Sequence, residues 1–363
     1  PSSYYTGILR AMKGLILAAG RGTRLRPLTH TRPKPVIRVA GRPILHYAVE
    51  NLLQAGIREV GVVVSPETHK DIAESLRHFP KPFRPTYILQ EEPQGLAHAV
   101  QVAQGWLGET PFVLYLGDNL FQRGIQDFLA PFQKGVSAVI ALAEVEDPRQ
   151  FGVAVVEDGR VRRLLEKPQN PPSRLAVAGV YVFTPEVHEV IATLKPSARG
   201  EYEITDAIQA LVDQGKTVLG VQVQGWWKDT GRPEDLLDAN RLLLEALEPR
   251  LEGEVTGSRL VGRVVVEKGA SVRNSTLIGP VHVAEGARVE EAYLGPFTSV
   301  GPYAVVRKAE VEYAILEDEA QVEEVHVRLQ ESILGVKAEV RGKNGLPRTH
   351  RLILGDLSRA ELA

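Results

Sequence analysis

The sequence contains no cysteine, which excludes disulfide bridges and thiolate metal sites. It contains no apolar run approaching the roughly 20 residues that a membrane-spanning helix requires. It also lacks an excess of either charge, with 43 Lys plus Arg against 45 Asp plus Glu. That balance offers no electrostatic footprint for a nucleic-acid or acidic-membrane partner. Met12 is the only methionine, and the residues before it lack the apolar core of a secretion signal, so 1–11 read as an added or disordered extension. These absences leave the expectation of a cytoplasmic enzyme that acts on small molecules.

At 363 residues the chain is long enough for two domains, each with its own core. Up to about Val223, short runs of Val, Ile and Leu alternate with segments of helical period, the sequence form of a sheet covered by helices. Leu15 to Leu17, Val60 to Val64, Phe112 to Leu116 and Ala138 to Leu142 are continuously apolar, as strands buried on both faces should be. Ile44, Leu45, Ala48, Val49, Leu52 and Leu53 recur at helical spacing, with Gly56 where a C-terminal cap belongs. This predicts a Rossmann-like α/β domain over 12–232. A helix follows, starting at Pro233 with Leu236, Leu237, Leu243 and Leu244 on its apolar side, and the segment 233–250 reads as a linker.

After Leu251 the pattern changes to a six-residue beat. Leu260, Val266, Val272 and Ile278 keep it, and after slips of one residue Val283 and Val289, then Leu294, Val300 and Val306, resume it. Such a hexad predicts a left-handed parallel β-helix over 251–358, with one aliphatic residue per hexad pointing inward. An ordinary sandwich of short strands is the plain alternative.

The chemistry is written most densely just after the first strand, in Leu17-Ala18-Ala19-Gly20-Arg21-Gly22-Thr23-Arg24-Leu25-Arg26-Pro27, continuing to Lys34-Pro35. Gly20 and Gly22 let the backbone approach an anion so that successive N–H groups face phosphate oxygens, while Arg24 and Lys34 add full charges. The spacing matches neither the dinucleotide Gly-x-Gly-x-x-Gly nor the ATPase phosphate loop. Further on, Leu116-Gly117-Asp118-Asn119 ends a buried strand with a carboxylate, where open α/β sheets place ligands. Trp227-Lys228-Asp229-Thr230-Gly231 supplies a second acid, which only the fold could bring beside the first. Two carboxylates about 4 Å apart repel by roughly 4 kcal/mol at an effective dielectric near 20, so a divalent cation belongs between them.

Together these segments resemble the sugar-phosphate nucleotidyltransferase family. Gln90-Glu91-Glu92-Pro93-Gln94-Gly95 resembles its base-binding turn, and Glu166-Lys167-Pro168 its sugar-phosphate contact. Phe151-Gly152-Val153, Val177-Ala178-Gly179 and Gly200 to Asp206 resemble its sugar-pocket segments and follow in the family's order. The closing Leu354-Gly355-Asp356-Leu357-Ser358 looks like the tail of its longer glucose-1-phosphate thymidylyltransferases. Ala19 and Phe151 depart from the Gly and Tyr of several relatives.

The resemblance implies nucleotide contacts at Leu17, Ala19, Gly20, Gly22, Thr23, Gln90 and Gly95. It implies sugar contacts at Gly152, Glu166, Val177 and Gly179, catalytic cations at Arg24, Lys34 and Lys167, and Mg2+ held by Asp118 and Asp229. The implied reaction joins a nucleoside triphosphate, dTTP or else UTP, to glucose 1-phosphate, in a homo-oligomer. A non-catalytic nucleotide-sugar-binding regulator is a second reading, and an acetyltransferase in the hexad half, using His282, His326 or His350, a third. None of the nine histidines falls in the motifs, and His98 reads as an ordinary helix residue.

Overall fold

The computed structural model describes residues 11–363 except Leu357. The expected extension 1–11 therefore lies outside the described residues apart from Ala11, and the tail motif 354–358 lies partly outside them. By internal contact the chain divides into two units, one of residues 1–21 and 45–229, the other of residues 22–44 and 230–363. Residues 22–44 thus group with the C-terminal half, where a contiguous 12–232 domain was expected.

In the first unit nine strands form one mixed sheet. They are β1 (Lys13–Leu17), β2 (Glu59–Val64), β3 (Thr86–Leu89), β4 (Phe112–Leu116), β6 (Val136–Glu144), β7 (Gly152–Glu157), β8 (Arg160–Glu166), β9 (Leu175–Phe183) and β10 (Thr217–Gln222), in the order β3-β2-β1-β4-β9-β6-β10-β8-β7. A separate short pair joins β5 (Asn119–Phe121) to β11 (Trp227–Asp229). The strands β1, β2, β3 and β4 run parallel, whereas β9 is antiparallel to both its neighbours. Leu15, Val63, Leu114 and Ile140 are buried in the sheet's core, as the continuous apolar runs demand.

Helix α1 (Ile44–Gln54) buries Ile44, Leu45, Ala48, Val49 and Leu52. Its end is closed by the Gly56 N–H donating to the Leu53 carbonyl and the Ile57 N–H to that of Leu52, the paired bonds of a Schellman cap.

In the second unit, a helix over Pro233–Glu245 is followed by short strands that pair in parallel with others one repeat later. Val264 pairs with Val281 and Val281 with Thr298, a repeat of 17 residues that becomes 16 at Ala314 and 18 at Ser332. Each repeat contributes three inward positions, seen in Leu260, Val266, Val272, then Leu277, Val283, Val289, then Leu294, Val300, Val306. The spacing is six, six, five, and Leu260 pairs with Leu277. Ile278 is therefore not the inward residue of its hexad, because the buried one is Leu277. The slips in the beat are the short third edge of every repeat.

Candidate active site

The site elements of the first unit gather where β1 and β4 end side by side. Ala18 donates from its N–H to the Val63 carbonyl at 2.9 Å, and Gly117 donates to the Leu17 carbonyl at 3.1 Å. The loop Ala19-Gly20-Arg21 and the acid Asp118 thus leave the sheet from adjacent parallel strands, the position at which open α/β sheets hold ligands. Leu17 and Ala19 pack partly buried against the core, while Gly20 is exposed with no protein atom within 4 Å of where a Cβ would stand. Space for a ligand lies directly in front of that backbone.

Strand pairing ties the two motif segments together. Strands β5 and β11 pair so that Asp229 lies opposite Asn119, the residue next to Asp118. Asn119 is the organising side chain, buried and unremarked in the sequence: its Nδ2 donates to Asp118 Oδ1 at 2.9 Å, and its Oδ1 accepts from Trp227 Nε1 at 2.9 Å. Gly179 makes room for it. At φ +81° in the bulge of β9 between Val177 and Tyr181, Gly179 faces the Asn119 side chain so closely that a Cβ would lie 2.6 Å from its Cγ. Among the described residues no group of three or more His, Cys, Asp or Glu is arranged to hold a metal. A pair of acids without a third suits Mg2+, which takes one or two carboxylates and completes its shell with water and substrate phosphate oxygens.

Gln90 is buried at the end of β3, its N–H donating to the Val64 carbonyl. Its Nε2 donates to His98 Nδ1 at 2.9 Å, from helix α2 (Leu96–Val102). His98 is accordingly more than a helix residue: it fixes the Gln90 amide and leaves Oε1 to receive a donor. Burial lowers the His98 pKa, which keeps Nδ1 an acceptor. Gly95 lies against the backbone of Tyr202, with Tyr202 donating to the Gln94 carbonyl and Ala97 to that of Tyr202. The base-turn segment and the Gly200-to-Asp206 segment are therefore stitched together, a contact across more than a hundred residues that no local pattern carries.

Around the expected sugar contacts, Gly152 adjoins Thr205, Val177 and Glu166. Thr205 Oγ1 donates to Glu166 Oε2 at 3.2 Å, and Arg199 lies 3.9 Å from Glu166 while donating to Glu203 at 2.7 Å. Burial, then the nearby Glu203 charge, raise the Glu166 pKa, against the opposing pull of Arg199, Lys167 and the Thr205 hydroxyl. Arg199, Glu203 and Thr205 were not singled out individually by the motifs; Arg199 offers a second cation, after Lys167, beside Glu166. Lys167 has φ +43°, a sparsely populated backbone for a side-chain-bearing residue, with its N–H donating to the Phe151 carbonyl. It borders an open cleft of about 710 Å³ lined also by Arg149, Gln150, Gln169 and Asn170.

Gly22, Thr23, Arg24 and Lys34 belong to the second unit. Gly22, at φ +62°, carries Thr29 Cγ2 and Lys34 Cβ only 3.1 and 3.2 Å from its would-be Cβ, and Thr29 Oγ1 donates to its carbonyl at 2.6 Å. A side chain at Gly22 would strain the backbone and push the Lys34 stem away. Thr23 and Arg24 open the 3-10 turn Thr23–Leu25, and Lys34, nearly buried, opens Lys34–Val36. The Arg24 guanidinium lies over Gly231, about 3.1 Å from its would-be Cβ. Gly231 closes the motif that contains Asp229.

The histidines weighed for acetyl transfer differ in setting. His282 is buried, lies against Gly41 and holds Glu267 at 3.0 Å, so its ring is part of the packing. His326 and His350 are exposed, the former bonded to Asn344.

An open glycine loop and a carboxylate that leave the sheet from adjacent parallel strands mark the class as an enzyme with an anionic substrate. The chain belongs to the nucleotidyl transferase family, whose model matches residues 13–246. A glucose-1-phosphate thymidylyltransferase from Streptomyces griseus is 44% identical over 355 residues, 97% of this chain and 100% of that one. The UTP–glucose-1-phosphate uridylyltransferase AglF of Haloferax volcanii is 37% identical over 241 residues, 64% of this chain and 97% of that protein. A solved Bacillus anthracis structure, described as a glucose-1-phosphate thymidylyltransferase in complex with a sucrose, is similar at 35% identity and a TM-score of 0.59, covering 64% of this chain and 95% of that one. Among the described residues no helix is long and apolar enough to cross a membrane.

Proposed function

We propose that this chain transfers dTMP from dTTP to glucose 1-phosphate, giving dTDP-glucose and pyrophosphate. The choice of thymidine over uridine rests on one observation: the likeness to the Streptomyces thymidylyltransferase runs through both halves of the chain, whereas the likeness to the uridylyltransferase AglF covers 64% of it. Transfer from UTP is the second reading, favoured by that relative.

In the reaction an oxygen of the sugar phosphate attacks the α-phosphorus in line. A new P–O bond forms as the bond to the β-phosphate oxygen breaks, and pyrophosphate leaves with the electron pair. The attacking oxygen is already ionised at neutral pH, so no general base is needed. Lys167 holds the sugar phosphate and Glu166 accepts from sugar hydroxyls. Gln90 reads the pyrimidine edge, with Gly95 giving the base room. The backbone of Gly20 and Gly22, with Arg24 and Lys34, stabilises the triphosphate as charge moves to the leaving group. Asp118 and Asp229 would hold Mg2+, which supplies neutralisation and orientation of phosphate oxygens when bound. Catalysis is then positioning and charge complementarity.

We further infer that the 17-residue repeats wind as a left-handed parallel β-helix, supported by three short strands per repeat that each pair with the next repeat. The protein is proposed to act in the cytoplasm as a homo-oligomer.

Pyrophosphate release measured with Mg2+ and glucose 1-phosphate, offering dTTP, UTP, GTP, ATP and CTP in turn, tests the reading. A dTTP preference is expected. A UTP preference would move the chain to uridylyl transfer, and silence with every nucleotide would leave a binding regulator. Asp118→Asn should abolish release while the melting temperature stays within about 2 °C of the parent, since Asp118 is only half-buried and an amide oxygen there can still accept from Asn119 Nδ2.

A further inference from the structure

The second unit carries a groove of about 550 Å³ with a mixed apolar and acidic lining. Leu25, Leu28, Leu237 and Ile333 contribute apolar side chains, and Glu234 and Glu331, both exposed, contribute carboxylates. Its volume lies in the range of sites that enclose a ligand or an anchoring side chain. The same unit ends in a segment of the opposite character. Leu352, Ile353 and Leu354 are all exposed, Ile353 at 89%, and among the described residues this is the one run of three consecutive large apolar side chains facing solvent. Arg348, His350 and Arg351 precede it directly, also exposed, with no regular structure across the segment. Contiguous exposed apolar surface beside charged residues marks a contact surface.

We propose that residues 348–354 of one copy of this chain dock into the groove of a second copy, with the Leu352 and Leu354 side chains on its apolar lining and Arg348, on the same face, against Glu234 and Glu331. Charge complementarity carries the match: a basic-apolar segment meets an apolar-acidic groove. An extended backbone alternates its side chains, so Leu352 and Leu354 share one face and Arg351 and Ile353 the other. A second copy is the occupant because in the single folded chain the segment lies in solvent. Exchange of an identical element between copies also satisfies every groove with one tail, a low-cost route to an oligomer. The proposal gives a specific contact to the homo-oligomer proposed above, and it is independent of which nucleotide the enzyme uses.

Sedimentation equilibrium of the full chain and its variants tests the proposal. The full chain should be oligomeric at micromolar concentration. Leu354→Asp and Arg348→Glu should each weaken association by at least about tenfold, and Glu331→Arg should restore part of the Arg348→Glu loss. A monomeric full chain, or an oligomer whose mass neither tail variant moves, would overturn it. Because the chain has no cysteine, the pair Leu237→Cys and Leu354→Cys gives a second measurement under mild oxidation. A disulfide linking two chains supports the exchange, whereas a link only within one chain shows the tail seated on its own groove and sinks the proposal.

Discussion

Replacing Gly179 by alanine should damage the site through Asn119, and the damage can be apportioned. Two costs are expected. The positive φ of Gly179 disfavours an alanine by about 1–2 kcal/mol. The new methyl would also lie 2.6 Å from the Asn119 Cγ and Nδ2, so that amide must move and give up its bonds to Asp118 and Trp227. At about 1 kcal/mol each, those bonds bring the total to roughly 3–4 kcal/mol. A unit of this size should lose roughly 6–16 °C in melting temperature, at about 2–4 °C per kcal/mol. The discriminating measurement is the same substitution made on Asn119→Ala. The three atoms nearest the new Cβ all belong to the Asn119 side chain beyond its Cβ, so in that background only the backbone cost of about 1–2 kcal/mol should remain. Urea unfolding of the parent, both single variants and the double variant gives the cycle. Equal costs of Gly179→Ala in the two backgrounds would refute the account, since the clash would then not be with Asn119.

Three further outcomes are expected. Removing the Gln90 partner by His98→Ala should raise the nucleotide KM by about five- to tenfold with little change in kcat, and acid should raise the parent's KM as protonation of Nδ1 removes the acceptor; steady-state kinetics across pH reads both. Glu317 is almost fully buried, accepts from the Arg38 N–H at 3.0 Å, and has its pKa pushed up to about 8 by burial and then by Asp318, despite Arg32 and Arg38. Folding therefore retains a proton that the unfolded chain releases near its ordinary value of 4.5, so this group's stabilisation is full below about 4.5 and is lost as pH rises to about 8. Melting of Glu317→Gln should shift in the variant's favour between pH 4.5 and 8 relative to the parent; a pH-independent difference would count against it. Finally, Leu277→Ala should cost about 2–5 kcal/mol and Ile278→Ala less than about 1 kcal/mol, measured by denaturant unfolding, because only Leu277 is fully inside its repeat.

The strands of the first unit were legible because burial on both faces leaves a continuous apolar run, as in Val60 to Val64 and Phe112 to Leu116. The glycine turn before Lys34 was legible because its conformation is local: Gly22 lies against Thr29 and the Lys34 stem, with the Thr29 hydroxyl on its carbonyl. What stayed hidden depends on residues distant in sequence. Asn119 acts through a partner on β11, and His98 matters only because β3 ends beside α2. The five-residue edge looked like a slip because a hexad was assumed where the closed repeat has 17 residues. Residues 22–44 carry no local sign of grouping with the C-terminal half, since their ties are single contacts: Arg38 to Glu317 and Asp318, Ala40 to Asn240, and Gly41 to His282.

Those ties bear on how the protein could be shortened or recombined. A chain cut before the repeats would keep every sugar-pocket motif yet leave Arg38 and Gly41 without the side chains they rest on. Because the same stretch carries Arg24 and Lys34, the repeats are a scaffold for it, and grafting a different C-terminal half onto this chain would change the footing of those two cations.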